Sequence, residues 1–416
     1  MELKMGYKQT EVGDIPEEWD VVLLGDHFQF KNGLNKAKEF FGFGAPIVNY
    51  MDVFQHQGLR LDNIIGRVDV NARELRAYEV CQGDVFFTRT SETVEEVGVA
   101  SVMLEKPKDT VFSGFLLRAR PTDQTLDNQF KGYCFGAGYF RQQVIARASY
   151  TTRALINGKS LSDAMLARPS LPEQTAIATA LSDTDSLSSS LDRLITKKRD
   201  LKQAALQELL TGKTRLPGYV GEWAVLPFGD LAQRCKDRVD PRRDGGGREV
   251  IELEHLASGS GRLLGSEKTS KGSSQKSIFQ RNDVLFGKLR AYLRKFWLAD
   301  RSGLCSTEIW VLRANPKVAI GKYVRYLVEM DTFIDVTSMA YGTHMPRSDW
   351  DAVARFEVPT PPMDEQLAIA QVLVDMDTEI AVMEQRLIKV KDIREAMMQD
   401  LLTGKTRLVT AGGCDA

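Results

Sequence analysis

The sequence predicts a mixed α/β fold of the α+β kind, in which two similar globular domains are separated by a long antiparallel two-helix coiled coil. Three observations support this prediction: a gapless internal repeat, a coiled-coil pattern within the repeated segments, and short strand-like segments elsewhere. Because 416 residues exceed the usual size of one domain, at least two domains are expected.

The internal repeat determines the predicted domain organisation. Glu173–Leu216 aligns with Glu365–Leu408 at a constant shift of 192 positions, with 20 of 44 residues identical. Self-similarity of this kind indicates a duplicated unit and predicts pseudo-two-fold symmetry. We therefore expect a first globular domain at 1–167, a first helical region at 168–216, a second globular domain at 217–359, and a second helical region with a tail at 360–416.

The repeated segments carry a narrow apolar seam. Apolar residues recur at steps of three and four, interrupted at Lys198 and Arg394, which is typical of a coiled coil. The predicted interface residues are Leu191, Ile195, Leu201, Leu209, Ile380, Met383, Leu387, Val390, Met397 and Leu401. One possibility is that each helix packs only on its own globular domain. However, two matching apolar seams can bury each other, so we predict that the two helices pair in antiparallel orientation. Helices of about 35 residues would form a rod about 50 Å long.

The octapeptide LLTGKTRL ends both repeats and contains Gly-Lys-Thr, the end of a phosphate-binding loop. That loop needs an earlier glycine, where this chain has Gln207 and Gln399, and it lies between a strand and a helix. Here a helical pattern comes before the glycine. We therefore predict that Gly212 and Gly404 end the two helices in the left-handed conformation.

The globular domains have the pattern of mixed α/β structure. The strand candidates are IGRVDV, DVFFTR, FLLRARP, DVLFGKL and EIWVLRA, and the helix candidates are residues 128–148 and 320–340.

Composition is typical of a soluble protein of a reducing compartment. Apolar residues are 43% of the chain, and no apolar run reaches the length of a membrane span. The N-terminus is polar and lacks the apolar core of a signal peptide. Five cysteines, an odd number without a CxxC pair, argue against a disulfide framework or a zinc site. We therefore expect a cytoplasmic protein without a bound metal.

Charge is distributed unevenly along the chain. The net charge of −1 does not suggest a nucleic-acid partner, but residues 262–301 hold ten Lys or Arg against three Asp or Glu. There FGKLRAYLRKFW interleaves cations with aromatic rings, which suits phosphates and base edges, although a solvated basic face has the same pattern. Polar loops in YGTHMPRSDW, TRTSET and YTTRALINGKS offer further donors. The candidates for DNA contact are Lys288, Arg290, Tyr292, Arg294, Lys295, Thr343, His344, Arg347, Arg89, Thr90, Thr152, Arg153 and Asn157.

No catalytic constellation is recognisable in the sequence. The Asn/Asp-Pro-Pro-aromatic loop of base methyltransferases, paired helicase motifs and a phosphate loop are all absent. This favours a binding subunit that directs the chemistry of another protein.

The order of segments resembles the specificity subunit of type I restriction-modification systems. The resemblance is carried by Leu171-Pro172-Glu173-Gln174 with Ala176-Ile177-Ala178, by Glu365-Gln366 with Ala368-Ile369-Ala370, and by both copies of LLTGKTRL. It covers about residues 6–408. The chain departs from the family at Asp364, where proline is usual, and in its first half, which lacks the Gly-Thr-x-x-Pro form of the loop.

The resemblance implies that each globular domain is a target-recognition domain reading one half of a bipartite, asymmetric site in double-stranded DNA, while the helices set the spacer. It also implies two modification subunits that methylate adenine with S-adenosylmethionine, and restriction subunits that use ATP and magnesium. None of these cofactors would bind this chain. Two alternatives stay open: a coiled-coil adaptor without a DNA role, and a nuclease with an unrecognised site.

Overall fold

The computed structural model describes residues 5–150, 152–241, 247–269, 274–338 and 348–408. The chain forms two compact units, residues 1–191 with 386–416 and residues 192–385. Two long helices, α7 (Leu171–Leu210) and α12 (Met363–Leu401), each contribute residues to both units. At 1.5 Å per residue each helix is about 60 Å long. No helix within the described ranges is long and apolar enough to cross a membrane.

The first unit is built from fifteen short strands and six short helices among its described residues. The strands are β1 Tyr7–Thr10, β2 Gly13–Pro16, β3 Asp20–Leu23, β4 Phe28–Asn32, β5 Phe41–Val48, β6 Gly58–Leu59, β7 Arg67–Val68, β8 Val85–Thr88, β9 Thr90–Ser91, β10 Ala100–Met103, β11 Val111–Phe112, β12 Leu116–Pro121, β13 Ser149–Tyr150, β14 Ala154–Leu155 and β15 Met165–Arg168. The helices are α1 Leu24–His27, α2 Tyr50–Gln55, α3 Ala72–Ala77, α4 Asn128–Cys134, α5 Gly138–Arg147 and α6 Gly158–Ser162.

The main sheet of the first unit has the strand order β4-β12-β8-β10-β6. All four residues of β8 are buried, because this apolar strand lies inside the sheet with both faces covered. Its neighbour β12 is antiparallel, with Leu116 opposite Thr88. A smaller sheet of order β13-β14-β9 begins directly after β8. The core below them includes Ile177 and Leu181 of α7 and Leu401 of α12.

The second unit has the following elements. The strands are β16 Ala224–Pro227, β17 Ala232–Cys235, β18 Arg238–Val239, β19 Glu249–Ile251, β20 Glu267–Lys268, β21 Lys276–Phe279, β22 Val284–Gly287, β23 Phe296–Leu298, β24 Gly303–Ser306, β25 Ile309–Ala314 and β26 Glu357–Thr360, and the short helices are α8 Phe228–Leu231, α9 Gly321–Leu327, α10 Asp331–Ser338 and α11 Trp350–Ala354. A sheet of order β17-β25-β22-β23 packs on a core that includes Leu206 and Leu209 of α7 and Leu373 of α12.

The long helices run antiparallel within each unit. In the first unit Arg394 is ion-paired with Asp185. In the second unit Lys198 pairs with Glu379 at 2.7 Å. The predicted interruptions of the seam, Lys198 and Arg394, are therefore held by carboxylates of the other helix. Antiparallel pairing of the two matched segments is what the repeat predicts, and the alternative of helices packed only on their own globular domains does not hold.

The seam differs from the prediction at one position. Leu201 is 49% exposed, and its neighbour Lys202 is buried instead. Position 202 lies seven residues, about two helical turns, after the buried Ile195, whereas position 201 lies on another face. Lys202 tolerates burial because Glu329 and Asp377 accept its ammonium group at 2.6 and 2.7 Å.

The remaining predicted interface residues face inward to different degrees. Ile195, Leu209, Ile380, Leu387 and Leu401 are buried, and Leu191, Met383, Val390 and Met397 are partly buried. Both helix-ending glycines have φ of +72°, as predicted for Gly212 and Gly404.

Each helix predicted near the end of a globular domain is broken into two. Residues 128–148 form α4 and α5, and residues 320–340 form α9 and α10 over their described part. In the second case the break places Glu329 between the helices, where its carboxylate pairs with Arg325 at 2.8 Å as well as with Lys202. A continuous helical pattern therefore overestimates helix length at both places.

Candidate nucleic-acid interface

The candidates of the first unit come together where β8 ends. The amide of Arg89 donates to the carbonyl of Phe115 at 3.0 Å, and the carbonyl of Arg89 accepts from the amide of Ile156 at 3.0 Å. Thr90 then pairs with Leu155, because β9 lies beside β14. Arg89, Thr90, Thr152, Arg153 and Asn157, which are far apart in sequence, therefore lie around one strand end.

Their side chains are not equally available. Arg153 is ion-paired with Glu92 at 3.7 Å, but its side chain is 63% exposed, so the pair is weak. Thr152 is exposed. The Nε atom of Arg89 is buried without a hydrogen-bond partner among the described residues. The side-chain oxygen of Asn157 accepts from the amide of Ser160 at 2.9 Å and caps α6, so this side chain has a structural role.

The second unit repeats this construction after β22. The amide of Lys288 donates to the carbonyl of Glu308 at 3.0 Å, and its carbonyl accepts from the amide of Ser348 at 3.0 Å. Ser348 and Ile156 are 192 positions apart, as are the caps of the next helices, Asp349 and Asn157. The predicted residues Thr343, His344 and Arg347 lie outside the described residues, directly before Ser348.

The basic segment forms the connection between β22 and β23. Arg290 and Arg294 both adopt the left-handed conformation, at φ of 54° and 51°, on either side of a 3₁₀ turn at Ala291–Leu293. Arg290 is exposed, and it has no ion-pair partner within the part of the chain that the structure describes. Tyr292 is 57% exposed. These two side chains are therefore the most accessible of the predicted set in this connection.

The other cations of this connection hold it in place. Arg294 donates to the carboxylate of Asp331 at 2.5 Å and to the carbonyl of Glu329 at 3.3 Å. Lys295 donates to the carbonyl of Leu253 at 2.7 Å. The hydrogen bond from Arg294 lowers the pKa of Asp331 below its usual value of 3.8. Sequence patterns do not distinguish such anchoring cations from exposed ones.

Comparisons with known proteins agree on one family. The family described as Type I restriction modification DNA specificity domain matches residues 221–392. The putative type I restriction enzyme MjaX specificity subunit of Methanocaldococcus jannaschii is 23% identical over 97% of either chain. The type I restriction enzyme EcoDI specificity subunit of Escherichia coli is 23% identical over 61% of this chain and 65% of the relative.

Two solved structures share the fold. The S subunit of a type I restriction-modification system from M. genitalium has a TM-score of 0.56 at 14% identity, covering 96% of this chain and 98% of the other. The HsdS subunit of Thermoanaerobacter tengcongensis has a TM-score of 0.50 at 13% identity, covering 94% and 98%. This chain is therefore similar, in sequence and in fold, to the specificity subunits of type I restriction-modification systems, as its repeated motifs predict. Its predicted fold class is confirmed.

The family also decides the class of function. This specificity subunit is a DNA-recognition component of a type I complex and associates with other subunits and with DNA. The prediction of a non-catalytic subunit is confirmed by the family. None of the comparisons supports an adaptor without a DNA role or a nuclease.

The repeated motifs of the specificity subunit join helices to globular parts. In the second unit the buried carboxylate of Glu365 accepts two hydrogen bonds from Arg215, at 2.6 and 2.7 Å, and one from the indole of Trp223 at 3.0 Å. In the first unit Glu173 accepts from Arg407 and, at 2.8 Å, from Trp19. The arginine of LLTGKTRL thus binds the glutamate of the other repeat copy.

The glutamine after each glutamate is equally buried. Gln174 donates to the carbonyls of Pro169 and Thr125 at 2.9 and 3.0 Å and accepts from the amide of Asp127 at 2.8 Å. Gln366 makes the matching three bonds in the second unit. We did not predict these roles from the sequence, although the identity of both motifs in the two copies was a signal that could have indicated them.

One cluster has the composition of a metal site. Among the described residues, ligand atoms of Glu254, His255 and Glu267 lie within 4.8 Å of one another. The Nδ1 atom of His255 faces the amide of Glu252 at 3.0 Å and accepts its hydrogen bond. The other ring nitrogen of a neutral imidazole then carries the proton and offers no lone pair to a metal. The cluster therefore does not suit a metal in this arrangement.

Proposed function

We propose that this specificity subunit reads a bipartite, asymmetric site in double-stranded DNA, one half with each target-recognition domain. The observation that supports this is a construction that repeats at two strand ends. Arg89 follows β8 and Lys288 follows β22, and the main chain of each residue makes the same two hydrogen bonds. The side chains around the two strand ends differ, with Thr90, Thr152 and Arg153 in one unit and Arg290 and Tyr292 in the other. Different side chains on a common frame suit two different half-sites.

The half-site assignment can be tested by substitution. Arg153→Ala and Arg290→Ala should each weaken binding to one half-site, by about 1–3 kcal/mol if the contact is to a base. Lys213→Ala is a control, because Lys213 is an exposed cation at the end of α7. The assay is binding of the reconstituted complex to duplexes that carry one altered half-site. Equal weakening by both variants on every duplex would assign the two arginines to phosphates, and no weakening would contradict the interface.

Two modification subunits are proposed to dock on the long helices. Large apolar side chains remain exposed there, among them Leu201 at 49% and Ile393 at 55%. These two residues are 192 positions apart, so each is the repeat counterpart of the other. On α7 the exposed side chains of Leu187, Leu194 and Leu201 recur at steps of seven, and a continuous apolar stripe of this kind suits a partner surface. Two equivalent positions suit two copies of one partner. Restriction subunits complete the proposed complex.

Stoichiometry is the test of this docking. Leu201→Glu or Ile393→Glu should leave one modification subunit bound, and the double variant none, as measured by native mass spectrometry. Val220→Glu is the control, because Val220 is 91% exposed but lies outside the helices. Two bound subunits in the double variant would contradict the proposal.

The remaining parts of the proposal concern spacing and cofactors. We propose that the paired helices set the distance between the half-sites, so that one heptad inserted into both helices lengthens the spacer by about 3 base pairs. Site selection from random duplexes would show this change, and an unchanged spacer would contradict the role. S-adenosylmethionine, ATP and magnesium are proposed to bind the partner subunits, and the complex to act in the cytoplasm.

A further inference from the structure

We propose that Phe115 and Glu308 are base-contacting residues that make the two half-sites differ. Each residue stands directly before a central strand, β12 in the first unit and β25 in the second. The inference rests on the proposed function, because it names the position that distinguishes the two recognition surfaces.

Strand register places these residues beside the predicted cations. In the first unit Leu116 lies opposite Thr88, so the next pair outward is Phe115 with Arg89, joined by the 3.0 Å hydrogen bond. Directly opposite residues of antiparallel strands lie on the same face of a sheet. Phe115 and Arg89 therefore share one face at the strand end.

The second unit gives the same register with different side chains. Gly287 lies opposite Ile309, so the next pair outward is Lys288 with Glu308, again joined at 3.0 Å. The preceding turns also match. The amide of Phe115 bonds the hydroxyl of Ser113 at 3.4 Å, and the amide of Glu308 bonds that of Ser306 at 3.5 Å. Two turns of the same construction thus carry an exposed phenylalanine in one unit and a partly buried glutamate in the other.

The exposure of Phe115 needs a physical explanation. Its ring is 63% exposed, whereas the next two residues, Leu116 and Leu117, are buried. Its main chain is held on both sides by the bonds to Ser113 and Arg89, so the ring is presented from a fixed position. An exposed aromatic ring held beside a cation suits contact with DNA, because the ring can meet a base and the cation a phosphate or a base edge.

The chemistry of the two side chains selects different bases. An aromatic ring makes apolar contact with the methyl group of thymine in the major groove, or wedges between base steps from the minor groove. A carboxylate accepts from the amino group of cytosine and is repelled by phosphates and by acceptor-rich base edges. Arg89 with Phe115, and Lys288 with Glu308, therefore make two distinct recognition pairs.

The experiment uses the full complex with its modification subunits and selection from duplexes with random bases in both half-sites. The variants are Phe115→Ala and Glu308→Gln. The matched control is Phe43→Ala, since Phe43 is 56% exposed in the same unit but lies in a different sheet, on a bulge of β5. Circular dichroism confirms that each variant is folded.

We expect Phe115→Ala to lose about tenfold or more of its base discrimination at one or two adjacent positions of a single half-site. Glu308→Gln should do the same in the other half-site, and Phe43→Ala should select the wild-type sequence. Loss spread equally over all sequences, changes in both half-sites, or unchanged selection by both variants would overturn the inference. If the wild-type complex itself selects no sequence, the proposed function fails first and the inference falls with it.

Discussion

Replacing Arg215 by methionine should destabilise the second unit by about 3 kcal/mol. The side chain of Glu365 is 1% exposed, and two of its three hydrogen bonds come from Arg215. Without the guanidinium the carboxylate keeps only the indole of Trp223. Breaking a buried ion pair by removing one partner costs about 3–5 kcal/mol, because the other charge stays buried without compensation. Arg215 is 24% exposed, so water can replace part of the interaction and the lower end applies.

The assay is thermal unfolding of the full chain by calorimetry. For a unit of this size about 1 kcal/mol corresponds to about 2–4 °C, so the transition of the second unit should move down by about 6–12 °C. Hydrogen exchange of residues 215–223 and 363–370 assigns the transition to that unit. Lys213→Met is the control, because this lysine is exposed in the same turn and should shift the transition by less than about 2 °C.

A double-mutant cycle separates the ion pair from general packing. In the Glu365→Gln/Arg215→Met double variant neither partner is charged, so the cost should be smaller than the sum of the two single costs. Similar small shifts for Arg215→Met and Lys213→Met would refute the reasoning, and so would additive effects of the two single substitutions.

Three further predictions follow from the structure. Ile195→Ala should lower the free energy of unfolding by about 2–4 kcal/mol, since Ile195 is 4% exposed, whereas Leu201→Ala should lower it by less than about 1 kcal/mol. Urea unfolding measures both values, and equal losses would contradict the observed seam. Asn157→Ala should lower the free energy of thermal unfolding by about 1 kcal/mol because the cap of α6 is lost, whereas Asn157→Asp keeps the cap. Equal losses in both variants would exclude capping as the cause. The pKa of Asp331 is lowered by Arg294, so its contribution to stability is present above pH of about 4 and is lost as the pH falls through the folded-state value. The stability difference between wild type and Asp331→Asn should therefore shrink on acidification, and a constant difference would contradict this linkage.

The long helices and their ends could be predicted because local chemistry determines them. A period of three and four, strong helix formers, and glycines that adopt positive φ are all visible in the sequence. The seam position of Lys202 could not be predicted, because a buried lysine needs carboxylates that come from distant parts of the chain, Glu329 and Asp377. Periodicity alone therefore favoured the neighbouring Leu201.

The candidate interface was predictable only as a set of residue types. The sequence indicates that cations occur in loops, but their partners within the protein decide which of them remain available to DNA. Arg294 and Lys295 bond to neighbouring segments and fix the connection between β22 and β23. Phe115 and Glu308 were not predicted, because their position depends on strand register. At the end of an apolar segment, Phe115 has the pattern of one more core residue.

The distribution of identity between the two halves follows from the contacts. Positions that are identical in both copies, such as Glu173 and Glu365, have buried carboxylates whose partners are also repeated, so a single change there leaves a buried charge without compensation. At the strand ends Phe115 and Glu308 occupy the same register position with unrelated side chains, because a main-chain hydrogen bond accepts any residue there. Stability therefore restricts the residues at the first set of positions. At the second set it permits different side chains, as the proposed contacts with two different half-sites require. If the proposed contacts hold, substitution at the strand ends changes the target while the buried contacts of the two long helices stay the same.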